Sequence, residues 1–330
     1  MPDDDTARTP RLVCCGLTTL DVVQVVDAVP TADQKVVARD LQVSFGGPAA
    51  NAAATAVALG VPSVLVTALG EGPVARLVRD GLRAAGVEVV DLLAGQPGDP
   101  ALSTVLVTAG TGQRAVVSPN ATGRADDLGP ATRAATAVLD AATALLVDGH
   151  HLAAALELAG AARRRGLPVL LDGGSWKPGL GPLLEDVDVA VLSADFAVPA
   201  GPGSGGEVAG RETGSRPGAT APDVLAAVAA YGPRVVARSA GAGPVRVRVH
   251  RAAERTQVEQ HDELLVVPPL LLPDDVVDTL GAGDVLHGAI GAGLARGLDP
   301  VAALRAAVPV ATESCRHPGA LGWVATRSTR

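Results

Sequence analysis

The chain has 330 residues, of which 48% are hydrophobic, and a formal net charge of −8. This size and composition fit one large α/β domain, and the acidic balance with scattered basic residues argues against nucleic acid or an anionic membrane as a partner. No apolar run approaches the ~20 residues that a membrane-spanning helix needs, and the three cysteines fit neither a disulfide framework nor a zinc site. We therefore expect a soluble cytoplasmic protein with small-molecule partners.

The polar, Asp-rich residues 1–10 predict a disordered leader and not a signal peptide. From Arg11 onward, short β-branched runs alternate with Ala- and Leu-rich stretches of helical length, which is typical of a mainly parallel sheet with helices on both faces. Segments 21–47 and 100–123 break this alternation, because they predict strands with no helix between them. We expect a small sheet that covers a cleft, or whose exposed strands pair with a second subunit in a homodimer.

Residues 44–51, SFGGPAAN, predict a strand that ends at Gly46 and Gly47 and a helix that starts at Pro48. Asn51 lies in the first turn of that helix, where its amide can reach into the space above the helix end. A strand-to-helix turn that needs glycine only for close packing explains the same residues. The pattern alone leaves both interpretations open.

Two segments in the middle of the chain give weaker signals. His150 follows the strand-like run LLVDG, where it either faces a ligand or closes a polar loop. Residues 199–222 are rich in Gly, Pro and Ser and predict a flexible loop. A Gly-x-Gly-x-x-Gly pattern starts at Gly201, but no predicted strand enters it and no predicted helix leaves it. We therefore interpret it as a coincidence and not as a dinucleotide fingerprint.

Residues 278–288, DTLGAGDVLHG, form the most informative stretch. We expect a strand to end at 276–277, a turn at 281–283 and a helix from Asp284 onward. Glycines let several amide N–H groups point at one spot, and the positive end of the helix adds to that spot. A capping role for Asp284 accounts for only ~0.3–1 kcal/mol and does not explain two glycines and a second aspartate. The stretch predicts a phosphate site with a carboxylate beside it.

The motifs of several enzyme classes are absent from this sequence. There is no Gly-x4-Gly-Lys-Ser/Thr loop, no Gly-x-Ser-x-Gly elbow and no His-Glu-x-x-His pair, which argues against a P-loop NTPase, an α/β-hydrolase and a zinc protease. A nicotinamide-dependent oxidoreductase needs Gly-x-Gly-x-x-Gly after its first strand, where this chain reads GLTTLD.

GGPAAN and DTLGAGD, in this order, resemble the two signature regions of the PfkB (ribokinase-like) carbohydrate kinase family, and the similarity extends over residues 11–323. The resemblance implies a single kinase domain over residues 11–330. Its fold would be α/β: a ribokinase-like three-layer α/β/α core with a mainly parallel sheet and a small β-sheet lid. The resemblance also implies that ATP, accompanied by Mg²⁺, phosphorylates a sugar hydroxyl group.

The family resemblance gives expected roles to the matching positions. Asp284 matches the catalytic base. The anion hole is matched by Gly281, Ala282 and Gly283. The sugar contacts are matched by Asp21, Gly46, Gly47 and Asn51. Asp278 matches a position near the monovalent-cation site of family members, which extends the expectation to K⁺. These roles suit phosphoryl transfer, which depends mainly on positioning and on stabilisation of charge.

On the nucleotide side the chain departs from the family. Ser193, in LSADF, stands where relatives commonly have the Asn of an Asn-x-x-Glu region that organises magnesium and phosphates. The usual Thr-x-Gly-x-x-Gly loop is ARSAGAG here, which keeps Gly241 and Gly243. We expect these residues, together with Thr279 and Lys177, to lie on the nucleotide side.

The segments around both motifs look most similar to the ketohexokinase and sulfofructose kinase branch, so the expected substrate is a fructose-like ketose. Lys35 and Lys177 are the two lysines among 27 basic residues, which points either to a need for a compact charge at these positions or to chance. Lys35, at the base of the lid, is expected to meet with His150 an anionic group of the sugar, such as a phosphate or sulfonate. A solvated surface lysine is the other interpretation of Lys35.

A different function remains open on the same fold. A sugar- or nucleoside-binding protein without turnover is compatible with Ser193 and with the altered nucleotide loop. The intact Asp284 argues against it, because a binding protein needs no base.

Overall fold

The computed structural model describes residues 8–120, 128–199, 223–250 and 261–327. Most of the predicted leader and of the predicted loop at 199–222 lies outside the described residues. The strands are, in chain order, β1 (Leu12–Cys15), β2 (Thr19–Val26), β3 (Asp40–Gly46), β4 (Ser63–Thr67), β5 (Glu88–Asp91), β6 (Ala101–Thr108), β7 (Arg114–Val117), β8 (Ala144–Val147), β9 (Val169–Gly173), β10 (Val189–Leu192), β11 (Val235–Ala240), β12 (Gly243–His250) and β13 (His261–Val266). The helices are α1 (Pro48–Ala58), α2 (Pro73–Ala84), α3 (Gly129–Ala135), α4 (Leu152–Arg164), α5 (Leu180–Leu184), α6 (Val224–Ala229), α7 (Ala282–Ala295), α8 (Pro300–Ser314) and α9 (Val324–Arg327), with 3₁₀ turns at Thr136–Asp140 and Pro273–Asp275.

The larger sheet has the strand order β13-β12-β11-β10-β9-β8-β1-β4-β5. The strands from β11 to β5 in that order are parallel to their neighbours, and β12 and β13 continue the sheet antiparallel. The central strands β1, β8 and β10 read LVCC, ALLV and VAVL and are buried at every position. Strands covered on both faces need apolar residues throughout, so this sheet confirms the α/β class predicted from the β-branched runs.

Two apolar cores lie on opposite faces of this sheet. Along β1, Leu12 and Cys14 join the core that includes α1, α7 and α8, whereas Val13 and Cys15 join the core that includes α4. The alternation follows from the period of two in a strand. The result is the three-layer arrangement that the sequence predicts. No helix in the described ranges is both long and apolar enough to cross a bilayer.

A second, smaller sheet has the order β3-β2-β6-β7. It is built from the two segments that break the alternation of strands and helices, and we call it the lid. β2 pairs with β3 antiparallel and with β6 parallel, which sets Asp21 opposite Ser44 on one side and Ser103 on the other. β3 is an edge strand, and its residues 40–44 are all exposed.

The entry to the second motif differs from the sequence prediction. Residues 276–277 are not the end of a strand, because the segment follows the 3₁₀ turn Pro273–Asp275 without joining a sheet. The amides of Val277 and Asp278 instead donate to the carbonyl oxygen of Cys315, at 2.9 and 3.3 Å. The loop that leads into α7 is therefore anchored to the end of α8.

Helices α1 and α7 pack against each other unusually closely. A Cβ atom at Gly288 of α7 would lie 2.4 Å from the carbonyl oxygen of Ala52 in α1. Only glycine allows the two backbones this approach, which is why an Ala-rich helix faces a Gly-rich one. The contact brings the first turns of both helices, with Asn51 and Asp284, to the same place.

Candidate active site

The glycine turn before α7 reaches the surface at Gly283, and the amide of Ala282 makes a long hydrogen bond of 3.4 Å to the carbonyl oxygen of Thr279. Gly281 precedes the helix with a left-handed φ of 73°, and a Cβ atom there would lie 2.4 Å from that of Ala320. The first amides of an α-helix have no acceptor within the helix, so those of the 281–284 turn can bind an anion. Gly283 is exposed, and a Cβ atom built on it would meet no heavy atom within 4 Å. The predicted anion hole is thus open to a ligand.

Asp284 lies in the first turn of α7, partly buried, beside this turn. Its Oδ2 accepts a 2.7 Å hydrogen bond from Nδ2 of Asn51. Burial, and then the nearby charge of Asp172, raise the pKa of Asp284 to about 7, against the opposing effects of Asn51 and His287. A carboxylate with a pKa near neutrality is well matched to general-base chemistry at physiological pH.

The predicted sugar contacts lie together on the other side of Asp284. Oδ1 of Asp21 accepts a 2.6 Å hydrogen bond from the hydroxyl group of Thr19, and a Cβ atom at Gly46 would lie 2.0 Å from its Oδ2. Burial raises the pKa of Asp21, and the hydrogen bonds from Thr19 and Ser103 oppose this shift. Gly47 caps α1 with a φ of 96°, so that β3 leads directly into the helix that carries Asn51.

Asp148 is a buried residue of this region that the sequence analysis did not single out. Its carboxylate accepts backbone N–H bonds from Leu17 at 2.8 Å, His150 at 2.9 Å and Ala49 at 3.3 Å. Burial alone would raise the pKa of Asp148, but His150 and the amide donors outweigh it and hold the pKa well below its usual range. The ionised carboxylate therefore joins the ends of β1 and β8 to the start of α1.

His150 and Lys35, predicted to meet an anionic group of the sugar, lie apart from each other, and Lys177, predicted on the nucleotide side, lies near His150. Nδ1 of His150 lies 3.2 Å from the Asp148 carboxylate, so this ring is already paired within the site. Nζ of Lys177 lies 3.5 Å from the carbonyl oxygens of both Asp148 and Ser175, close to the same strand end. Lys35 is exposed in the connection between β2 and β3, which begins at the end of β2 remote from Asp21.

The predicted nucleotide-side residues lie along the carboxyl edge of the parallel strands, where open α/β sheets bind ligands. Ser193 follows β10 and donates a 2.8 Å hydrogen bond to the carbonyl oxygen of Gly174. Gly241 forms the turn between β11 and β12, and Gly243 begins β12. Thr279 contacts the lid instead: Nη1 of Arg114 in β7 donates to its carbonyl and hydroxyl oxygens, at 3.1 and 3.0 Å.

Asp278, the residue expected near a monovalent cation, is buried and held by backbone amides. Oδ1 accepts from Leu280 at 2.8 Å, and Oδ2 accepts from Gly319 at 2.9 Å. The carboxylate thereby ties the glycine turn to the segment that follows α8. No group of three or more His, Cys, Asp or Glu side chains in the described ranges is arranged to hold a metal ion.

Two further polar residues behind Asp284 also went unnoticed in the sequence. Asp172 near the end of β9 and His287, one turn beyond Asp284 in α7, are buried, with their Oδ2 and Nδ1 atoms 3.1 Å apart. Asp148 and Asp172 lie at the same level of neighbouring strands, since Val147 pairs with Leu171. An Asp-Gly pair at the end of a buried strand is the sequence signal that identifies both.

Comparisons with known proteins identify the family of the chain and its fold. Residues 9–325 match the pfkB family of carbohydrate kinases. Ribokinase from Arabidopsis thaliana, solved with ribose and ATP, is similar with a TM-score of 0.67 and 19% identity over 96% of this chain and 95% of that one. A microbiome-derived acarbose kinase gives 0.68 and 21% over 94% and 93%. Adenosine kinase from Anopheles gambiae gives 0.67 and 19% over 94% and 97%.

At these identities the solved structures establish the fold, and the match to the family sequence pattern establishes the family. The ribokinase-like core and the small second sheet are both present in this chain. The chain belongs to the pfkB family of carbohydrate kinases and is a kinase that transfers phosphate to a sugar.

Proposed function

We propose that this protein transfers the γ-phosphoryl group of ATP to a hydroxyl group of a fructose-like ketose. The observation that carries the proposal is the 2.7 Å contact between Asn51 and Asp284, which joins the sugar-side helix α1 to a carboxylate beside an open amide turn. A hydroxyl group held near Asp21 and Asn51 would lie within reach of that carboxylate.

In the proposed reaction, Asp284 takes the proton of the substrate hydroxyl group as its oxygen bonds to the γ-phosphorus. The bond from that phosphorus to the bridging oxygen of ADP breaks, and ADP leaves. The amides of Gly281, Ala282 and Gly283 stabilise the charge on the transferring group, as preorganised donors do in a site shielded from water. Mg²⁺, when bound with ATP, would neutralise phosphate charge.

An anionic substituent on the sugar is the finer part of the proposal. Lys177 offers a positive charge to such a substituent close to Asp148, and His150 lies beside the same carboxylate at the end of β8. Lys35 remains a predicted contact, and its exposed position requires the β2–β3 connection to bend towards the sugar. Potassium activation through Asp278 likewise remains a prediction, which a comparison of activity in K⁺ and Na⁺ tests.

We further propose a homodimer formed through the lid. Edge strand β3 leaves Leu41 and Val43 exposed at 59% and 50%, and unpaired backbone groups on such an edge favour addition of another strand. Replacing both side chains with Asp should give a monomer in sedimentation analysis if this strand is the interface.

The decisive experiment measures ADP release with ATP, Mg²⁺ and a panel of ketoses, aldoses, their phosphates and sulfonates, and nucleosides. The proposal expects the highest kcat/KM with a ketose. Preference for a nucleoside would instead resemble the adenosine kinase. Thermal stabilisation by a sugar without ADP release would favour the non-catalytic binding protein and contradict the proposal.

A further inference from the structure

Asp172 and His287 form a buried polar pair directly behind Asp284. Both residues are 6% exposed. Oδ2 of Asp172 lies 3.1 Å from Nδ1 of His287, and neither atom has a well-aligned hydrogen bond to any described residue. On the other side of the ring, Nε2 of His287 lies 3.1 Å from the carbonyl oxygen of Val191 in β10.

The two contacts of the imidazole ring determine how many protons the pair must hold. A carbonyl oxygen only accepts, so the contact with Val191 is attractive only when Nε2 carries a proton. In a neutral ring Nδ1 then has a lone pair, which faces a carboxylate that would also be an acceptor if ionised. Both contacts become attractive when one additional proton lies between Nδ1 and Oδ2.

We propose that Asp172 and His287 share one proton and form an uncharged positioning pair, which keeps a second negative charge away from Asp284. The inference rests on the proposed role of Asp284 as the base. Asp284 already faces Asp21 across the site, and an ionised Asp172 behind it would further disfavour its ionised form. The pair would thus keep Asp284 ready to accept the proton of the substrate.

The groups around Asp172 are consistent with a shared proton. Burial raises the pKa of Asp172 and the charge of Asp148 adds to this, while His287, His150 and Lys177 oppose it. Asp148 is held ionised by its amide donors, so Asp172 is the one of these two neighbouring carboxylates that would take up a proton.

The first test requires no substrate. In ¹⁵N-labelled protein the six histidines give a small set of imidazole signals, and Asp172→Asn and His287→Asn identify those of His287. We expect Nε2 of His287 to carry a proton and Nδ1 to share a second proton with Oδ2 of Asp172, whereas an Nδ1 lone pair without a hydrogen-bond donor would mean that Asp172 is ionised and would overturn the proposal. An unprotonated Nε2 would overturn the proposal, because Nδ1–H would then donate to an ionised Asp172 and the pair would be negatively charged.

The second test measures how kcat/KM falls at acidic pH, the acid limb of its pH profile, in the wild type, His287→Asn, Asp172→Asn and the double variant. In His287→Asn no imidazole shares the proton, so Asp172 ionises on its own as the pH rises and adds a negative charge beside Asp284, and the limb should move up by about 1–2 pH units. Asp172→Asn removes the carboxyl group that could become charged, so it should not move the limb upward. The double variant, Asp172→Asn with His287→Asn, should bring the limb back towards its wild-type position.

A merely structural role of His287 would not give this pattern. It would lower kcat in His287→Asn and in the double variant alike and leave the limb in place, and that result would refute the proposal. If His287→Asn does not fold, the imidazole signals of the wild type still decide the proton count. If instead no sugar is phosphorylated, the kinase proposal fails while the protonation of Nε2 remains measurable.

Discussion

Nδ2 of Asn51 donates a 2.7 Å hydrogen bond to Oδ2 of Asp284, although the two residues are 233 positions apart in the sequence. The contact exists because Gly288 lets α7 lie against the backbone of α1. It fixes the orientation of one carboxylate oxygen and leaves the other available to a ligand. The first turn of the sugar-side helix and the first turn of α7 therefore form one site.

Asp284→Asn should lower kcat by ~10²–10⁴-fold, because an amide cannot accept the proton of the attacking hydroxyl group. Sugar binding should change little, since Asn51 can still hydrogen-bond to the amide oxygen. ADP release and a thermal shift with sugar measure the two effects. Asp299→Asn is the matched control, because Asp299 caps α8 at its N-terminus and should be replaceable without loss of activity. Turnover of Asp284→Asn within tenfold of wild type would exclude Asp284 as the base.

The pH dependence of wild-type activity follows from the same carboxylate. Because burial raises the pKa of Asp284 above the usual range of a carboxyl group, the base becomes protonated at a higher pH than an exposed aspartate, and kcat/KM should fall with it. The folded state binds this proton more tightly than the unfolded state, so ionised Asp284 costs stability as the pH rises towards 7. Asp284→Asn should therefore melt at a higher temperature than wild type at pH 8 but not at pH 5. Equal differences at both pH values would contradict the raised pKa.

Gly46→Ala should impair substrate binding with little effect on folding. The new Cβ atom would lie 2.0 Å from Oδ2 of Asp21, so the carboxylate must move away from the sugar site. A displacement of about 1 Å in a reacting complex costs on the order of 10²-fold in kcat/KM. Gly160→Ala is the control, because its Cβ atom would meet only side-chain ends at 3.4 Å. If the two variants have the same KM, Asp21 does not contact the sugar.

Arg114→Ala should loosen the contact between the lid and the glycine turn. The guanidinium group bridges β7 to Thr279, two positions before Gly281, by hydrogen bonds of 3.0 and 3.1 Å. Loss of these bonds should lower kcat/KM by about 2- to 10-fold. Arg83→Ala removes another exposed arginine whose partner, Asp80, is on the same helix, and it should have no effect. A similar loss in both variants would mean that the lid contact is not specific.

Local patterns in the sequence were sufficient for the layers of the fold and for the two glycine motifs. The apolar run of β8 and the glycines around Ala282 are each recognisable within a few positions. Contacts between residues on different strands leave no pattern among neighbouring positions of the sequence. Asp148 and Asp172 meet because β8 and β9 are neighbours, and His287 reaches β9 only because α7 packs beneath it. The strand predicted at 276–277 was wrong because its hydrogen-bond partner is a helix end and not another strand.

Asp148→Asn should act mainly by lowering the free energy of unfolding. An amide in place of the carboxylate turns one of the two acceptor oxygens into a donor, which then faces either the amide of His150 or the amides of Leu17 and Ala49, at a cost of about 2–3 kcal/mol in the free energy of unfolding. The pKa of Asp148 is depressed in the folded state, so its contribution is fully present above its unfolded pKa and is lost as the pH falls towards the folded value. Urea unfolding should thus show a wild-type advantage at pH 7 that shrinks below about pH 4. As a control, Asp140→Asn removes an exposed partner of Arg165 and should differ little from wild type at either pH. If the stability difference between wild type and Asp148→Asn does not depend on pH, Asp148 does not act as an ionised group.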